Sequence, residues 1–179
     1  MNIFILHYNP KICAQLHCDK HVVKMILETA QLLYTCLWIM GLEYGCMDNV
    51  INDAPSTQKG TKGYRPTHKK HPCALWLCES VGNYEWLCTM GKELCHEYTY
   101  RYGKIHSTEV HIDWLTTHCP NITETKMTKF CTVMPDIYKN NDPIVAYKSY
   151  YNGEKSFAKW TKRPIPKWFR PLEILNGTT

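Results

Sequence analysis

Four side chains able to carry out acid–base or nucleophilic chemistry recur at helical spacing within one long apolar segment. His21, Lys24, Glu28 and Gln31 lie three or four positions apart, so a helix would align them along one face. A carboxylate beside an amine can act as a general acid or base, and a neutral amine can attack a sugar C1′ or a carbonyl carbon. We therefore regard Glu28 as the candidate acid–base group and Lys24 as a candidate nucleophile.

The positive charge around this glutamate has more than one interpretation. A lysine is a nucleophile only when its amine is neutral, which burial or neighbouring positive charge favours. Lys20, His21 and Lys24 supply such charge, and Lys20 is the second candidate nucleophile. Both lysines can equally bind phosphate, and an ordinary Lys–Glu pair on a solvated helix face accounts for the same spacing. These interpretations stay open at this point.

The apolar residues between these side chains predict the helix that positions them. Asp19 is a good N-cap, because its carboxylate can accept amide hydrogens of the first turn. The helix is expected to end near Gly41. A broad apolar face indicates that it is mostly buried; its residues are Val22, Val23, Ile26, Leu27, Ala30, Leu33, Tyr34 and Leu37.

Strand signals are scarce in the rest of the chain, so the predicted fold class is mainly α. We expect a compact, single-domain helical bundle over residues 1–179, with a long functional loop at 42–71 and an extended C-terminal tail at 159–179. Prolines and capping residues mark the other helices. These run from Pro10 to Cys18, from Pro72 to about Tyr102 with a break near Gly82, from Ser107 or Thr108 to Thr117, and from Asp142-Pro143 to about Tyr151.

Length and composition define the class of protein. The 179 residues suffice for one domain with a real core, and 44% hydrophobic with 21% charged residues is typical of a globular protein. The net charge of +5 allows a polyanionic partner without requiring one. Ten cysteines, with no Cys-x-x-Cys pair and no signal peptide, predict reduced thiols in a cytoplasmic, intracellular protein. The apolar runs are judged too short to cross a membrane, so no membrane association is expected.

Basic residues lie directly before the second helical region. Lys69, Lys70 and His71 precede Pro72, and cations at a helix N-terminus combine with its free amide hydrogens to form an anion site. A solvated run of charge explains the same residues equally well. We retain Lys69, Lys70 and His71 as candidate nucleic-acid contacts.

A second set of candidate nucleic-acid contacts combines aromatic rings with polar and cationic side chains. Aromatics interleaved with cations suit stacked bases and a phosphate track, as in single-strand or flipped-base binders. Trp160 and Arg163 follow this pattern in the tail, and the helical candidates are Trp76, Asn83 and Arg101. The alternatives are that the tail tryptophans fix the tail to the core and that Arg101 pairs with a glutamate one turn earlier.

A metal site is the alternative use of the histidines. His21, Glu28 and His71 would converge in a helical bundle, which gives the hypothesis of a helical metalloenzyme or a nucleotide- or base-modifying enzyme. Di-iron bundles carry paired Glu-x-x-His motifs on separate helices, and we expect no such pair on any of the predicted helices. We therefore expect neither a metal nor another cofactor.

Several of these residues resemble the signature of a known family. The stretch Lys20-His21-x-x-Lys24-x-x-x-Glu28-Thr29-Ala30-Gln31-Leu32-Leu33 is similar to the first-helix motif of the pyrimidine-dimer DNA glycosylases of phages and bacteria. Later parts of that motif are similar to His71-Pro72, Trp76 and Glu97-Tyr98-x-x-Arg101-Tyr102-Gly103. The resemblance covers about residues 19–104.

This resemblance implies a compact helical fold and an enzyme that acts on DNA. In such enzymes the N-terminal α-amine attacks C1′ of the damaged nucleotide, and a glutamate on the first long helix assists Schiff-base chemistry and strand cleavage. The glutamate corresponds to Glu28. Asn2 is a bulky second residue, so Met1 should be retained. Two alternatives follow: a lysine, Lys20 or Lys24, replaces the α-amine as nucleophile, or the scaffold acts on another nucleotide substrate.

The sequence leaves three hypotheses about function. The leading one is a DNA glycosylase/AP lyase that acts on a damaged or modified base, with DNA as its partner. The second is the metalloenzyme or base-modifying enzyme described above. The third is a non-catalytic nucleic-acid-binding module in which the polar stripe is only a contact surface. The groups that surround the Glu28 carboxylate discriminate among them.

Overall fold

The long helix α2, Asp19–Tyr44, is the central element of the fold. The computed structural model describes residues 1–44 and 51–171, without the side chains of residues 42–44. Val22, Ile26 and Ala30, on successive turns of α2, are fully buried. Val23 and Leu27 were expected on the same face, but they are 41% and 37% exposed. The buried face of α2 is therefore narrower than the apolar pattern predicts.

Five further α-helices and one 3-10 helix occur in the described residues. They are α1 (Pro10–Leu16), α3 (Pro72–Glu79), α4 (Val81–Tyr102), α5 (Glu109–Thr116), the 3-10 helix (Asp136–Tyr138) and α6 (Pro143–Glu154). Asn9, His71 and Asp142 cap α1, α3 and α6, each followed by a proline that has no amide hydrogen to satisfy. Within those residues the only β-structure is an isolated bridge between Ser56 and Lys62. The mainly α class is confirmed.

The break between α3 and α4 falls at Ser80 instead of near Gly82. The Ser80 hydroxyl accepts the amide hydrogen of Asn83, so it caps α4 and starts the helix earlier than expected. Gly82 lies inside α4, where a Cβ atom would be 2.7 Å from the backbone nitrogen of Met127. This glycine is required for the close approach of a loop and does not end a helix.

The predicted loop and tail are only partly described. Helix α2 continues to Tyr44, so the loop begins later than residue 42, and residues 45–50 lie outside the described part. Residues 51–71 contain no helix. The described part of the tail, residues 159–171, is also non-helical, with two short turns, and residues 172–179 lie outside the description.

Helices α3, α4 and α5 pack against α2 on its buried side. At the crossing of α2 and α4 the helices approach closely, because a Cβ atom at Gly91 would lie 2.9 Å from Cγ2 of Thr29. On the other side, residues 3–6 are irregular but buried. Phe4 in this segment stacks on His21 of α2 and meets Tyr147 of α6, with ring centroids 4.3 and 5.7 Å away. The N-terminal segment is therefore held between α2 and α6.

A buried ion-pair network fixes the tail to the helices. The Asp19 carboxylate was expected to cap α2, but it accepts hydrogen bonds from Arg101 Nη1 at 2.8 Å and from Thr161. Arg101 also donates from Nε to the buried Glu97 carboxylate at 2.7 Å. Arg163 of the tail donates two hydrogen bonds to the same carboxylate. This network replaces a simple helix cap with a contact between distant parts of the chain.

Helix α2 also has the length and composition of a membrane-crossing helix. The window Asp19–Gly41 passes that test, so the expectation that every apolar run is too short is wrong. In the fold, 72% of the window is buried inside the protein. A mostly buried core helix passes the same test of length and composition, so this feature is weak evidence for a membrane.

Two buried histidines next to the N-terminal segment make the fold sensitive to acid. Burial lowers the pKa of His17 to about 4 and that of His21 to about 3. Both rings stay neutral in the folded protein, whereas in the unfolded chain they have the ordinary histidine pKa of about 6.5. Unfolding is therefore accompanied by proton uptake as the pH falls below about 6.5, which destabilises the folded state. Each histidine should remove about 2 to 3 kcal/mol of stability between pH 7 and pH 4.5.

We test this with the free energy of unfolding measured in denaturant at a series of pH values. His17→Gln should make the acid-side slope shallower by about one proton, since one titrating group is gone. The control is His96→Gln, because the His96 side chain is 68% exposed. An unchanged slope in His17→Gln would contradict the assignment.

Gly63, in the irregular segment after α2, should not tolerate a side chain. It has φ +57°, and a Cβ atom would lie 2.7 Å from Cε1 of Tyr34. Gly60 has φ +78° and open space around it, so it is a matched control. Both alanine variants carry a backbone cost of about 1 to 2 kcal/mol, and Gly63→Ala should lose about 1 to 3 kcal/mol more from the clash. Thermal unfolding of the two variants measures the difference.

Candidate functional site

Glu28 lies near the middle of α2, and its carboxylate is held between two nitrogen atoms. Its side chain is only 11% exposed. Oε1 lies 3.0 Å from Nζ of Lys24, one turn earlier, and Oε2 accepts the main-chain N–H of Asn2 at 3.2 Å. Two such donors fix the orientation of the carboxylate. Glu28 thus sits beside both an amine and the beginning of the chain.

Lys24 and Glu28 form a ridge that separates two cavities. The first, which we name the N-terminal cavity, has a volume of about 460 Å³. Its lining combines the start of the chain, α2, and residues from around α6: Met1, Asn2, Phe4, His21, Lys24, Glu28, Val133, Met134, Tyr150 and Lys155. It is the cavity in which the Glu28–Asn2 contact lies.

The second cavity, which we name the loop cavity, lies on the other side of the ridge. It has a volume of about 810 Å³ and is bounded by the segment after α2 and by residues before α5. Hydroxyl and cationic side chains are prominent in its lining: Val23, Lys24, Leu27, Glu28, Gln31, Thr57, Gln58, Lys59, Thr61, Tyr64, Arg65, Thr67, His106, Ser107 and Thr108. Val23 and Leu27 of α2 are exposed because they face this cavity. The long loop thus contributes a wall next to Glu28.

His21 lies at the cavity wall as a neutral ring. Its Nδ1 is hydrogen-bonded to the hydroxyl of Tyr151, and the ring stacks on Phe4. Burial is the main cause that lowers its pKa to about 3, with the charges of His17, Lys155 and Lys24 adding to the effect. At neutral pH the ring is uncharged, so His21 does not supply the positive charge that we expected beside the lysines.

The two candidate lysines differ in position. Lys24 lines both cavities and contacts Glu28. Lys20 is exposed, and its Nζ lies 4.2 Å from the centre of the Phe157 ring. The geometry therefore brings Lys24 to the carboxylate and directs Lys20 toward an aromatic ring near the tail.

Of the three basic residues before α3, His71 lies near the start of the chain. Lys69 and Lys70 are exposed. His71 caps α3, since its Nδ1 accepts the amide hydrogen of Cys73. Burial lowers the pKa of His71, and the positive charges of the Met1 α-ammonium group and of His68 lower it further. The N-terminal amine is thus near enough to His71 to affect its protonation.

The other expected nucleic-acid contacts are enclosed by protein. Trp76 is 2% exposed and packs against Trp86 and Phe130. Asn83 is buried, and its amide donates to the carbonyl of Trp76 and to the hydroxyl of Thr128. These side chains stabilise the junction of α3 and α4, and they do not line either cavity.

The tail residues have a structural role as well. The Trp160 ring is buried, and its Nε1 donates to the carbonyl of Leu16 at 2.9 Å. Arg101 is fully buried in the ion-pair network, and Arg163 is paired with Glu97. Trp160 and Arg163, the two tail residues expected to contact DNA, thus hold the tail against the core.

Comparison with known proteins identifies the family of this chain. A family model described as pyrimidine dimer DNA glycosylase matches residues 1–110. The chain belongs to the pyrimidine dimer DNA glycosylase family. No curated protein and no solved structure matches it. The family implies a DNA repair function of the glycosylase type, with DNA as the substrate.

The part of the chain that matches the family contains all the lining residues of one cavity and only some of those of the other. All residues that line the loop cavity lie within residues 1–110. The lining of the N-terminal cavity also contains four residues from beyond the matched region: Val133, Met134, Tyr150 and Lys155. The motif in the sequence indicated Glu28 and Lys24, but no local signal marked these later residues, because only the fold brings them near α2.

The metal hypothesis lacks a ligand set in the described residues. Among them, no group of three or more histidine, cysteine, aspartate or glutamate side chains is placed to hold a metal ion. His21, Glu28 and His71 therefore do not form the site that this hypothesis requires. One Glu-x-x-His motif does occur, at Glu93 and His96, but the 3.7 Å contact is a surface pair.

Arg163 should matter for stability and not for DNA affinity. Arg163→Ala leaves the buried Glu97 with one cation fewer, so we expect a loss of about 1 to 3 kcal/mol in the free energy of unfolding. The control is Lys167→Ala, which removes the same charge from an exposed position of the tail. Denaturant unfolding and DNA titration of both variants test this, and a selective loss of DNA affinity in Arg163→Ala would contradict it.

Proposed function

We propose that this protein is a DNA glycosylase/AP lyase that acts on a damaged or modified base of intracellular DNA. The observation that supports this most directly is the Glu28 carboxylate, buried at a cavity and held between an amine and the second residue of the chain. A carboxylate and an amine in contact are the two groups that this reaction needs. Family membership supports the same class of reaction.

The proposed reaction begins with a neutral amine that attacks C1′ of the damaged nucleotide. The bond between C1′ and the base breaks, and the base leaves with that electron pair and takes up a proton. The amine then releases one proton, and the bond between C1′ and the ring oxygen breaks with its electron pair going to that oxygen. The oxygen takes up a proton, which leaves a protonated Schiff base at C1′ and a hydroxyl at C4′. Glu28 then removes a proton from C2′, and the electron pair of that C–H bond expels the 3′ phosphate, which cleaves the strand.

Two amines are candidates for the nucleophile. Lys24 Nζ lies 3.0 Å from Glu28, with a side chain that is 68% exposed and can reach into either cavity. The second candidate is the N-terminal amine. With Met1 attached, the Asn2 nitrogen is an amide and not a nucleophile, but removal of Met1 would make it a primary amine 3.2 Å from the Glu28 carboxylate.

The DNA backbone is proposed to approach over the ridge between the two cavities. Lys59 and Arg65 in the loop cavity and Lys155 in the N-terminal cavity supply cations on both sides of Glu28. Lys69 and Lys70 are exposed and remain proposed phosphate contacts. Such contacts act mainly through charge, so DNA affinity should fall steeply with salt.

The test uses duplex DNA that contains either an abasic site or an ultraviolet-induced pyrimidine dimer. Borohydride reduces a Schiff base to a stable amine, so the wild-type protein should form a covalent adduct with the abasic duplex. Peptide mapping of that adduct distinguishes Lys24 from the N-terminal residue. Glu28→Gln should lower the cleavage rate by about 100-fold or more, because the group that removes the C2′ proton is lost.

The control is Glu85→Gln, the same change at an exposed position of α4, which should cleave at the wild-type rate. Failure of the wild-type protein to form an adduct with either DNA, or full activity in Glu28→Gln, would show that the proposed mechanism is wrong. Salt-dependent DNA binding without turnover would instead support the non-catalytic binding module.

A further inference from the structure

The side chain of Asn2 is tied to parts of the chain that lie far away in sequence. Its Nδ2 donates to the carbonyl of Val133 at 2.7 Å, and its Oδ1 accepts the hydroxyl of Tyr147 at 2.8 Å. Oδ1 also accepts the main-chain N–H of Ile3 at 2.8 Å. Both ends of this amide are therefore hydrogen-bonded, which fixes the rotation of the residue whose N–H contacts Glu28.

Tyr147 connects this asparagine to the segment beyond it. The tyrosine lies on α6 and is fully buried. Besides its bond to Asn2, its hydroxyl accepts the main-chain N–H of Val133 at 3.2 Å. One phenol therefore holds both the second residue of the chain and the segment that forms part of the wall of the N-terminal cavity. Such a shared hydroxyl makes the positions of the two segments interdependent.

The Glu28 carboxylate depends on this arrangement for one of its two donors. Lys24 comes from the same helix, and its contact with Oε1 is local. The donor to Oε2 is the N–H of Asn2, whose position is determined by Tyr147 and Val133. Catalytic groups must be held within a fraction of an ångström of their working geometry, and hydrogen-bonded supporting residues provide that precision.

We propose that Asn2 and Tyr147 are positioning residues that hold the Glu28 carboxylate in its reactive orientation. This inference rests on the proposed function. It assigns a role to a region beyond the family match, because Tyr147 and Val133 both lie after residue 110. The role applies to the chain with Met1 attached, in which the Asn2 nitrogen is an amide that donates to Glu28 and Lys24 is the attacking amine.

The experiment compares Tyr147→Phe with the wild-type protein on the abasic duplex. The variant keeps the buried ring and loses only the hydroxyl, so the orientation of Glu28 should become less well defined. We expect the single-turnover cleavage rate to fall about 10- to 100-fold. The dissociation constant for a duplex with a non-cleavable abasic analogue should stay unchanged, because no DNA contact is removed.

The matched control is Tyr84→Phe. Tyr84 is also buried, and its hydroxyl donates to the carbonyls of Leu115 and His118, remote from either cavity lining. Both variants should show a similar fall in Tm, but only Tyr147→Phe should lose cleavage rate at constant affinity. Asn2→Gln lengthens the side chain by one methylene and so moves the amide, which should reproduce the loss of cleavage rate. This variant takes the place of Tyr147→Phe in the test if Tyr147→Phe does not fold.

The outcomes separate this inference from the proposed function. If the wild-type protein forms the borohydride adduct but Tyr147→Phe and Asn2→Gln cleave at the wild-type rate, the positioning role is wrong and the glycosylase/lyase proposal stands. If Tyr147→Phe and Tyr84→Phe lose rate equally, the effect is one of general stability and the inference is overturned. If the wild-type protein forms no adduct at all, the proposed function itself fails.

Discussion

A carboxylate that is almost completely buried on the central helix is the constraint on which the site depends. Removing a charge from water is costly unless hydrogen-bond donors replace the lost hydration. Glu28 obtains one donor from the preceding turn of its own helix and one from the second residue of the chain. The first contact forms whenever α2 forms, but the second requires the N-terminal segment to pack between α2 and α6. The site is therefore a product of tertiary structure and not of the helix alone.

A second set of buried charges, elsewhere in the fold, likewise has partners that replace the lost hydration. Asp19 and Glu97 are neutralised by Arg101 and Arg163, and the network joins α2, α4 and the tail. In sequence, those arginines belong to a pattern of cations and aromatics typical of nucleic-acid binding. A buried carboxylate and a DNA phosphate both attract a guanidinium group, so the pattern alone does not distinguish an internal partner from an external one. The internal partner is the one that the fold provides.

The features that the sequence predicted well are those within a single helix. Hydrophobic periodicity and proline caps located the helices to within a few residues, and helical spacing placed Lys24 beside Glu28. What it could not predict was the set of long-range contacts. Nothing near Asn2 in the sequence indicates Tyr147, 145 residues later, and the aromatic character of Trp76 suits a core position as well as base stacking. Spacing rules describe neighbours on one element, whereas burial depends on which elements meet.

The two cavities beside Glu28 are lined by different parts of the chain. The ridge and the loop cavity lie within the part of the chain that matches the family, so the groups proposed to do the chemistry come with the family fold. The N-terminal cavity is completed by Met134, Tyr150 and Lys155 from beyond that part. Side chains that line a cavity discriminate between ligands by shape and charge, and they can change without disturbing the ridge. The later region thus has two effects on the site, since it holds Asn2 against Glu28 and shapes the space in front of that carboxylate.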